Sequence, residues 1–307
     1  MLEGKKDFLD TDDFSKETLL GLISLAIDIK NNKNKYRGAL KDKKLGMIFE
    51  KSSTRTRVSF EAGIYELGGM GIFLSSRDIQ IGRGEIIEDT ARVLTRYVDA
   101  IMIRTFSQEN VRLLAVNAGI PVINGLSDFL HPCQALADFQ TILEKKGEVE
   151  GCKLCFIGDG NNVANSLGLL ASRLGTDFSI ATPKNHEMDK GVMSRIKANA
   201  GISGSSFLFS NDPLEAVKGA DVVYTDVWSS MGQEKEAAER KKDFLGFQVN
   251  ADLLKSAAPD YMFMHCLPAH RGEEVDGAVI DGSHSVIFDE AENRLHLQKA
   301  VMLEIMR

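Results

Sequence analysis

The sequence predicts an α/β protein of two doubly wound parallel-sheet domains, with the active site in the cleft between them. Three observations carry this expectation. Short apolar runs alternate with amphipathic stretches of helical period, in two successive series, as strands buried under helices on both faces require. Unusual polar residues cluster just after those runs, where open parallel sheets bind their ligands. A chain of 307 residues that is 43% hydrophobic is also long enough for two ordinary cores.

In chain order, residues 14–31 form an amphipathic helix with Leu19, Leu22, Ile23, Ala26 and Ile27 on one side. Strands are expected near 45–50, 71–74, 99–104 and 121–124, and helices near 54–67, 85–97 and 107–118. In the 54–67 helix, Val58, Ala62, Ile64 and Leu67 are the expected core stripe, stopped by Gly68-Gly69. A further helix starts at His131-Pro132, where proline suits the first helical position, and ends at Lys145-Lys146-Gly147. It is the candidate link between a first domain over 1–140 and a second over 148–289. The second series places strands at 153–158, 177–182, 205–210, 221–226, 261–266 and 285–289, with helices at 163–175 and 213–219 among them. The charged segment 229–246 reads as a loop leading into a surface helix and is a candidate lid. The last stretch, 290–307, is helical and expected to pack back on the first domain.

A net charge of -7 argues against nucleic acid or an acidic membrane as the main partner, since both want a basic face. No apolar run is long enough to span a bilayer or to serve as a signal segment, so the cytoplasm is the expected location. Cys133, Cys152, Cys155 and Cys266 do not suggest a disulfide framework. Cys152 and Cys155 mimic half a zinc site, but no second pair follows.

The stretch with the most chemistry is Lys51-Ser52-Ser53-Thr54-Arg55-Thr56-Arg57, between the first strand and its helix. Serine and threonine are N-cap residues, and the first backbone N–H groups of a helix lack partners within it. Arginines in the same turn add positive charge where the helix dipole is already positive. Together they favour a phosphate or another anion.

Other polar residues repeat the pattern at strand ends: Arg104-Thr105, then His131 and Gln134, Asn161-Asn162, Asp226, and His265-Cys266. Each has a plainer reading alone. His131 serves equally as a helix cap, Arg104 as an edge ion pair, and Cys266 as a small buried apolar residue. Leu267-Pro268 is a candidate cis bond. Gly158-Asp159-Gly160-Asn161-Asn162 resembles a dinucleotide fingerprint but lacks the third glycine, so no nicotinamide cofactor is expected, nor any other cofactor. No histidine pair has metal-site spacing, so no metal is expected.

Taken together, SSTRTR (52–57), HPCQALAD (131–138), DVWSSMGQE (226–234) and HCLPAHRGEEV (265–275) closely resemble the aspartate/ornithine carbamoyltransferase family. The resemblance runs over essentially the whole chain, and Ser-Met-Gly at 230–232 with His-Cys-Leu-Pro at 265–268 moves it toward the ornithine type. The resemblance implies carbamoyl phosphate on Ser53, Thr54, Arg55 and Thr56, reached by Arg104, His131 and Gln134. Cys266 and Leu267 would line the reacting centre, with Arg294 returning from the C-terminal segment. Gln80 resembles the family's glutamine donated by an adjacent subunit of a homotrimer or a multiple of trimers. L-ornithine would be held by Asn162, Asp226, Ser230 and Met231. Arg55, Arg104, His131 and Cys266 are the candidate catalytic residues for making citrulline and phosphate. Two alternatives stay open: a sister carbamoyltransferase acting on putrescine or an acylated ornithine, and a non-catalytic two-domain metabolite binder.

Overall fold

The computed structural model of the chain describes residues 2, 4, 6–229 and 237–307. It divides into two compact units, Met1–Gln140 with Glu292–Arg307, and Thr141–Ala291. Among the described residues, no helix is long and apolar enough to cross a membrane.

The first unit is built on four parallel strands, β1 (Lys44–Phe49), β2 (Met70–Ser75), β3 (Ala100–Arg104) and β4 (Val122–Leu126), in the order β2-β1-β3-β4. Apart from Lys44 at the start of β1 and Arg104 at the end of β3, the central strands are apolar, and they are buried over nearly their whole length, as cover on both faces demands. The N-terminal segment extends the β4 edge. Phe8 bridges Ile123, the Phe8 N–H donates to the Val122 carbonyl at 2.8 Å, and Asp7 accepts from the Val122 N–H at 2.8 Å. Burial raises the Asp7 carboxyl above its ordinary range, against the opposing pull of that N–H and Lys6.

The second unit holds β5 (Lys153–Ile157), β6 (Asp177–Ala181), β7 (Phe207–Ser210), β8 (Val222–Thr225) and β9 (Met262–Met264), ordered β7-β6-β5-β8-β9 and parallel throughout. A core of Cys155, Ile157, Val223, Phe244, Val249, Phe263 and Ile280 packs on one face. In each sheet the order reverses beside the first strand, between β1 and β3 and between β5 and β8. Those reversal points are where crevices open at strand carboxyl ends.

Three expectations are corrected. Residues 285–289 are not a strand: Ser285 makes a single bridge to Phe263, and a helix begins at Ile287 and runs to Met306. Asp289 and Glu290 in its first turn suit the positive end of the helix dipole, which an apolar reading of 285–288 overlooks. A helix at Lys190–Ser203, not foreseen, joins β6 to β7. In the helix Thr54–Glu66 the buried face is Thr56, Phe60, Gly63 and Ile64, and Val58 is 56% exposed.

Candidate active site

In the first unit, β1 ends at Phe49 and the helix Thr54–Glu66 opens four residues beyond Glu50 with Ser53 as its N-cap. The Ser53 Oγ accepts from the Thr56 N–H at 3.1 Å, which leaves the earlier N–H groups of the turn directed outward from the helix start. Gly68 at φ +91° closes the helix, with its N–H on the Tyr65 carbonyl; a Cβ there would come within 2.7 Å of the Gly38 Cα. The turn is tied to both strand ends beside it. The Glu50 N–H donates to the Arg104 carbonyl at 2.9 Å, the Thr105 hydroxyl donates to the Glu50 carboxylate, and Lys51 pairs with Asp128 while lying 4.4 Å from the Phe106 ring centre.

Thr56 is the meeting point. Its buried hydroxyl oxygen accepts from Arg104 Nη1 at 3.5 Å and from Arg294 Nη2 at 3.2 Å. Arg294 Nη1 donates to Gln134 Oε1 at 2.5 Å, and Gln134 Nε2 donates to Asp138 Oδ1 at 2.7 Å. Arg294 is held in register by its neighbour Asn293, whose side-chain oxygen accepts from Lys30 Nζ at 2.8 Å and Gln140 Nε2 at 3.1 Å. His131 is buried, and Pro132 beside it takes the first helical position of Pro132–Lys146. Burial, with the nearby charges of Arg294, Arg104 and Arg55, pushes the His131 pKa well below 6.5, so the ring is neutral at pH 7. Arginines from the phosphate turn, the β3 end and the C-terminal helix thus act on one buried imidazole. Neutral imidazole is a single donor, which suits polarising a carbonyl oxygen without adding a further cation.

Arg57 is turned elsewhere, with its guanidinium 3.6 Å from the Phe73 ring centre and Nε on Glu61 at 3.2 Å. A cavity of about 450 Å³ adjoins the turn, lined by Ser52, Ser53, Thr54, Arg57, Phe73 and Arg77 among others. Gln80 lies exposed in a short helical turn after β2, and no hydrogen bond joins its side chain to the phosphate turn among the described residues.

In the second unit, Asp226 just past β8 is the centre. Its Oδ1 accepts from the Cys266 Sγ–H at 3.3 Å and its Oδ2 from Asn161 Nδ2 at 2.9 Å. Asn161 also caps the helix Asn162–Leu174, accepting from the Val163 and Ala164 N–H groups. Asn162 opens that helix beside it and is half-buried. Gly160 is glycine because a Cβ would come within 2.3 Å of the Met188 nitrogen. The 187–188 backbone packs directly against Gly160.

Behind Cys266, His265 is fully buried and accepts the Leu267 N–H on Nδ1 at 2.9 Å, so its proton sits on Nε2, facing Glu274 Oε1 at 3.2 Å. Burial raises the Glu274 carboxyl, but hydrogen bonds from His265 and the backbone N–H groups of His270 and Glu274 outweigh it and leave the group below its ordinary range. Leu267 sits at φ +59°, a region β-carbon residues seldom enter, and its bond to Pro268 is cis. Glu290 accepts the His265 N–H at 2.9 Å and the Tyr224 hydroxyl at 3.1 Å. Asp159 pairs with Arg240 at 2.6 Å; burial pushes its pKa up to about 6 in spite of Arg240 and His186, with Asp226 adding to the rise. Ser230 and Met231, expected on ornithine, lie outside the described residues, as do 230–236 of the candidate lid; residues 237–243 are the helix Ala237–Asp243.

Asp138, Glu274 and Glu290 were not singled out by sequence, and Asn161 was named only alongside Asn162 at its strand end. Only Asp138 carried a local signal, since it stands one helical turn after Gln134. The cysteines Cys133, Cys152 and Cys155 are unpaired and buried, with thiols pushed up to about 12 by burial.

Residues 6–144 match the carbamoyl-P binding domain of the aspartate/ornithine carbamoyltransferases, and residues 150–305 match their Asp/Orn binding domain. Ornithine carbamoyltransferase of Thermococcus kodakarensis is 57% identical over 303 residues, 98% of this chain and 96% of that protein. The anabolic ornithine carbamoyltransferase of Pyrococcus furiosus is 55% identical over 98% of this chain and 96% of its own length. The solved structure of ornithine carbamoyltransferase from Pyrococcus furiosus superposes with a TM-score of 0.95 at 54% identity, covering 98% of this chain and 97% of that one. With both halves of its length matched and both sheets ending in the polar constellations just described, the chain belongs to the aspartate/ornithine carbamoyltransferase family.

Proposed function

We infer that the chain transfers the carbamoyl group of carbamoyl phosphate to the side-chain amine of L-ornithine, giving L-citrulline and phosphate. The observation that carries this reading is the convergence of Arg104, Arg294, Gln134 and His131 on the capped helix start at Thr56. The phosphate lies on the outward N–H groups and side chains of Ser53, Thr54, Arg55 and Thr56. Arg104 and the neutral His131 polarise the carbonyl oxygen, and Gln134 borders the carbamoyl group with Cys266 and Leu267. Asp226, whose two oxygens are fixed by Cys266 and Asn161, binds the ornithine α-ammonium; Asn162, Ser230 and Met231 complete that subsite.

Only the neutral amine attacks, and an amine of pKa ~10.4 is neutral in roughly one molecule in two thousand at pH 7. The arginines around the phosphate disfavour an ammonium there and so select that form. As the N–C bond forms, charge builds on the carbonyl oxygen; the C–O bond to phosphate then breaks, and departing phosphate takes the amine proton. Orientation and charge stabilisation do most of the work. Cys266, hydrogen-bonded to Asp226, stands beside the proton's path. The chain assembles as a homotrimer or a multiple of trimers, with Gln80 reaching the phosphate site of a neighbouring subunit; its exposure, and the exposed Tyr65, Met70, Ile86 and Tyr97 of the same unit, support this.

The test is citrulline formation from the two substrates, with putrescine and an N-acylated ornithine as competing amines. Ornithine should be the preferred acceptor, and Arg55→Gly should lose most activity while keeping its thermal transition. Turnover with putrescine alone would move the assignment to a sister enzyme; binding without turnover would leave a metabolite binder.

A further inference from the structure

The buried carboxylate of Asp138 accepts from the amide of Gln134, whose other end meets Arg294. Gln134 and Asp138 are 1% and 0% exposed. An amide side chain presents an acceptor on one side and donors on the other, and a half-turn exchanges them. At Gln134 the two bonds agree on one orientation. Arg294 can only donate, so it claims Oε1 at 2.5 Å, and Asp138 Oδ1 accepts from Nε2 at 2.7 Å. Because the same guanidinium also donates to Thr56, Oε1 is the atom on the side of the phosphate turn. An amide oxygen there suits an N–H donor of the bound group.

We propose that Asp138 is a positioning residue that locks the Gln134 amide with its oxygen toward the carbamoyl group, so that the site selects an acyl phosphate bearing NH2 over one bearing CH3. This rests on carbamoyl phosphate occupying the turn. A methyl in place of the amine leaves a buried acceptor without its donor, a loss on the scale of one hydrogen bond, about tenfold in affinity.

The test uses two stable phosphonates, phosphonoacetamide (with the NH2) and 2-oxopropylphosphonate (with CH3), titrated calorimetrically into the wild-type protein, Asp138→Leu and Asp138→Asn. Wild type should prefer the amide about tenfold or more. Asp138→Leu, which removes the acceptor, should lose that preference through weaker amide binding, with the ketone held within about twofold. Asp138→Asn, whose Oδ1 can accept the same bond, should keep most of it; a carboxylate that mattered only for charge would fail in both. Equal loss of both ligands in Asp138→Leu, or an unchanged ratio, overturns the proposal. If that variant does not fold, Asp138→Ala replaces it, and a wild-type protein that binds both ligands equally overturns the proposal by itself. Citrulline production by wild type is scored separately: with it present and the ratio insensitive to Asp138, only this inference fails. If wild type binds neither phosphonate, the phosphate site itself fails and takes this inference with it.

Discussion

His131 shows how one residue's surroundings set its chemistry. Buried among Arg294, Arg104 and Arg55, it keeps a pKa well below 6.5, so it binds fewer protons folded than unfolded in the window below that value. Stability should therefore be fully present above pH 6.5 and fall as pH drops toward the folded pKa. Replacing His131 with Gln should flatten that part of a chemical-denaturation profile measured from pH 7 down to 5; an unchanged slope would mean that the imidazole is not neutral when buried. Asp159 has the opposite sign. Its pKa of about 6 lies above the ordinary value, so its contribution is largest below pH 4 and fades as pH rises through 6. In Asp159→Asn the slope between pH 4 and 6 should change in the direction opposite to that in the His131 variant. Neither shift was legible in the sequence, because both depend on burial and on charges brought from distant segments.

The elements divide by how local their causes are. The helix Thr54–Glu66 was readable because its cap, its first turn and its glycine stop are chain neighbours. Ser53→Ala should cost about 1 kcal/mol of stability and raise KM for carbamoyl phosphate, since the cap orients the same N–H groups that would hold it. Its buried face was misread at Val58, which is exposed while Phe60, two residues on, is fully buried. Glycines make a second contrast. Gly160→Ala would drive a Cβ to 2.3 Å from the Met188 nitrogen, whereas at Gly201 nothing lies within 4 Å. Thermal melting should show Gly160→Ala destabilised and Gly201→Ala, within the helix Lys190–Ser203, stabilised by up to about 1 kcal/mol. Equal shifts at both positions would contradict the close approach at Gly160.

Across the whole molecule, both sheets carry their polar constellations at the point where strand order reverses: the phosphate turn with Arg104 at β1/β3, and Asn161 with Asp226 at β5/β8. Light scattering should give a mass near three times the 33.8 kDa chain, or a multiple of that. A monomer at working concentration, with full activity, would remove Gln80 from the phosphate site. Sequence by itself determined the alternation of strands and helices, the capped anion turn, the proline start at 132 and the family motifs, because each is written in residues a few positions apart. Only tertiary structure decided that Arg294 reaches Gln134 across 160 residues, that Asn161 rather than Asn162 holds Asp226, and that Glu274 lies under His265. The reason is topological. Which strand ends become neighbours is fixed by the order in which the crossovers lay the strands down, and no local pattern in the chain records that order.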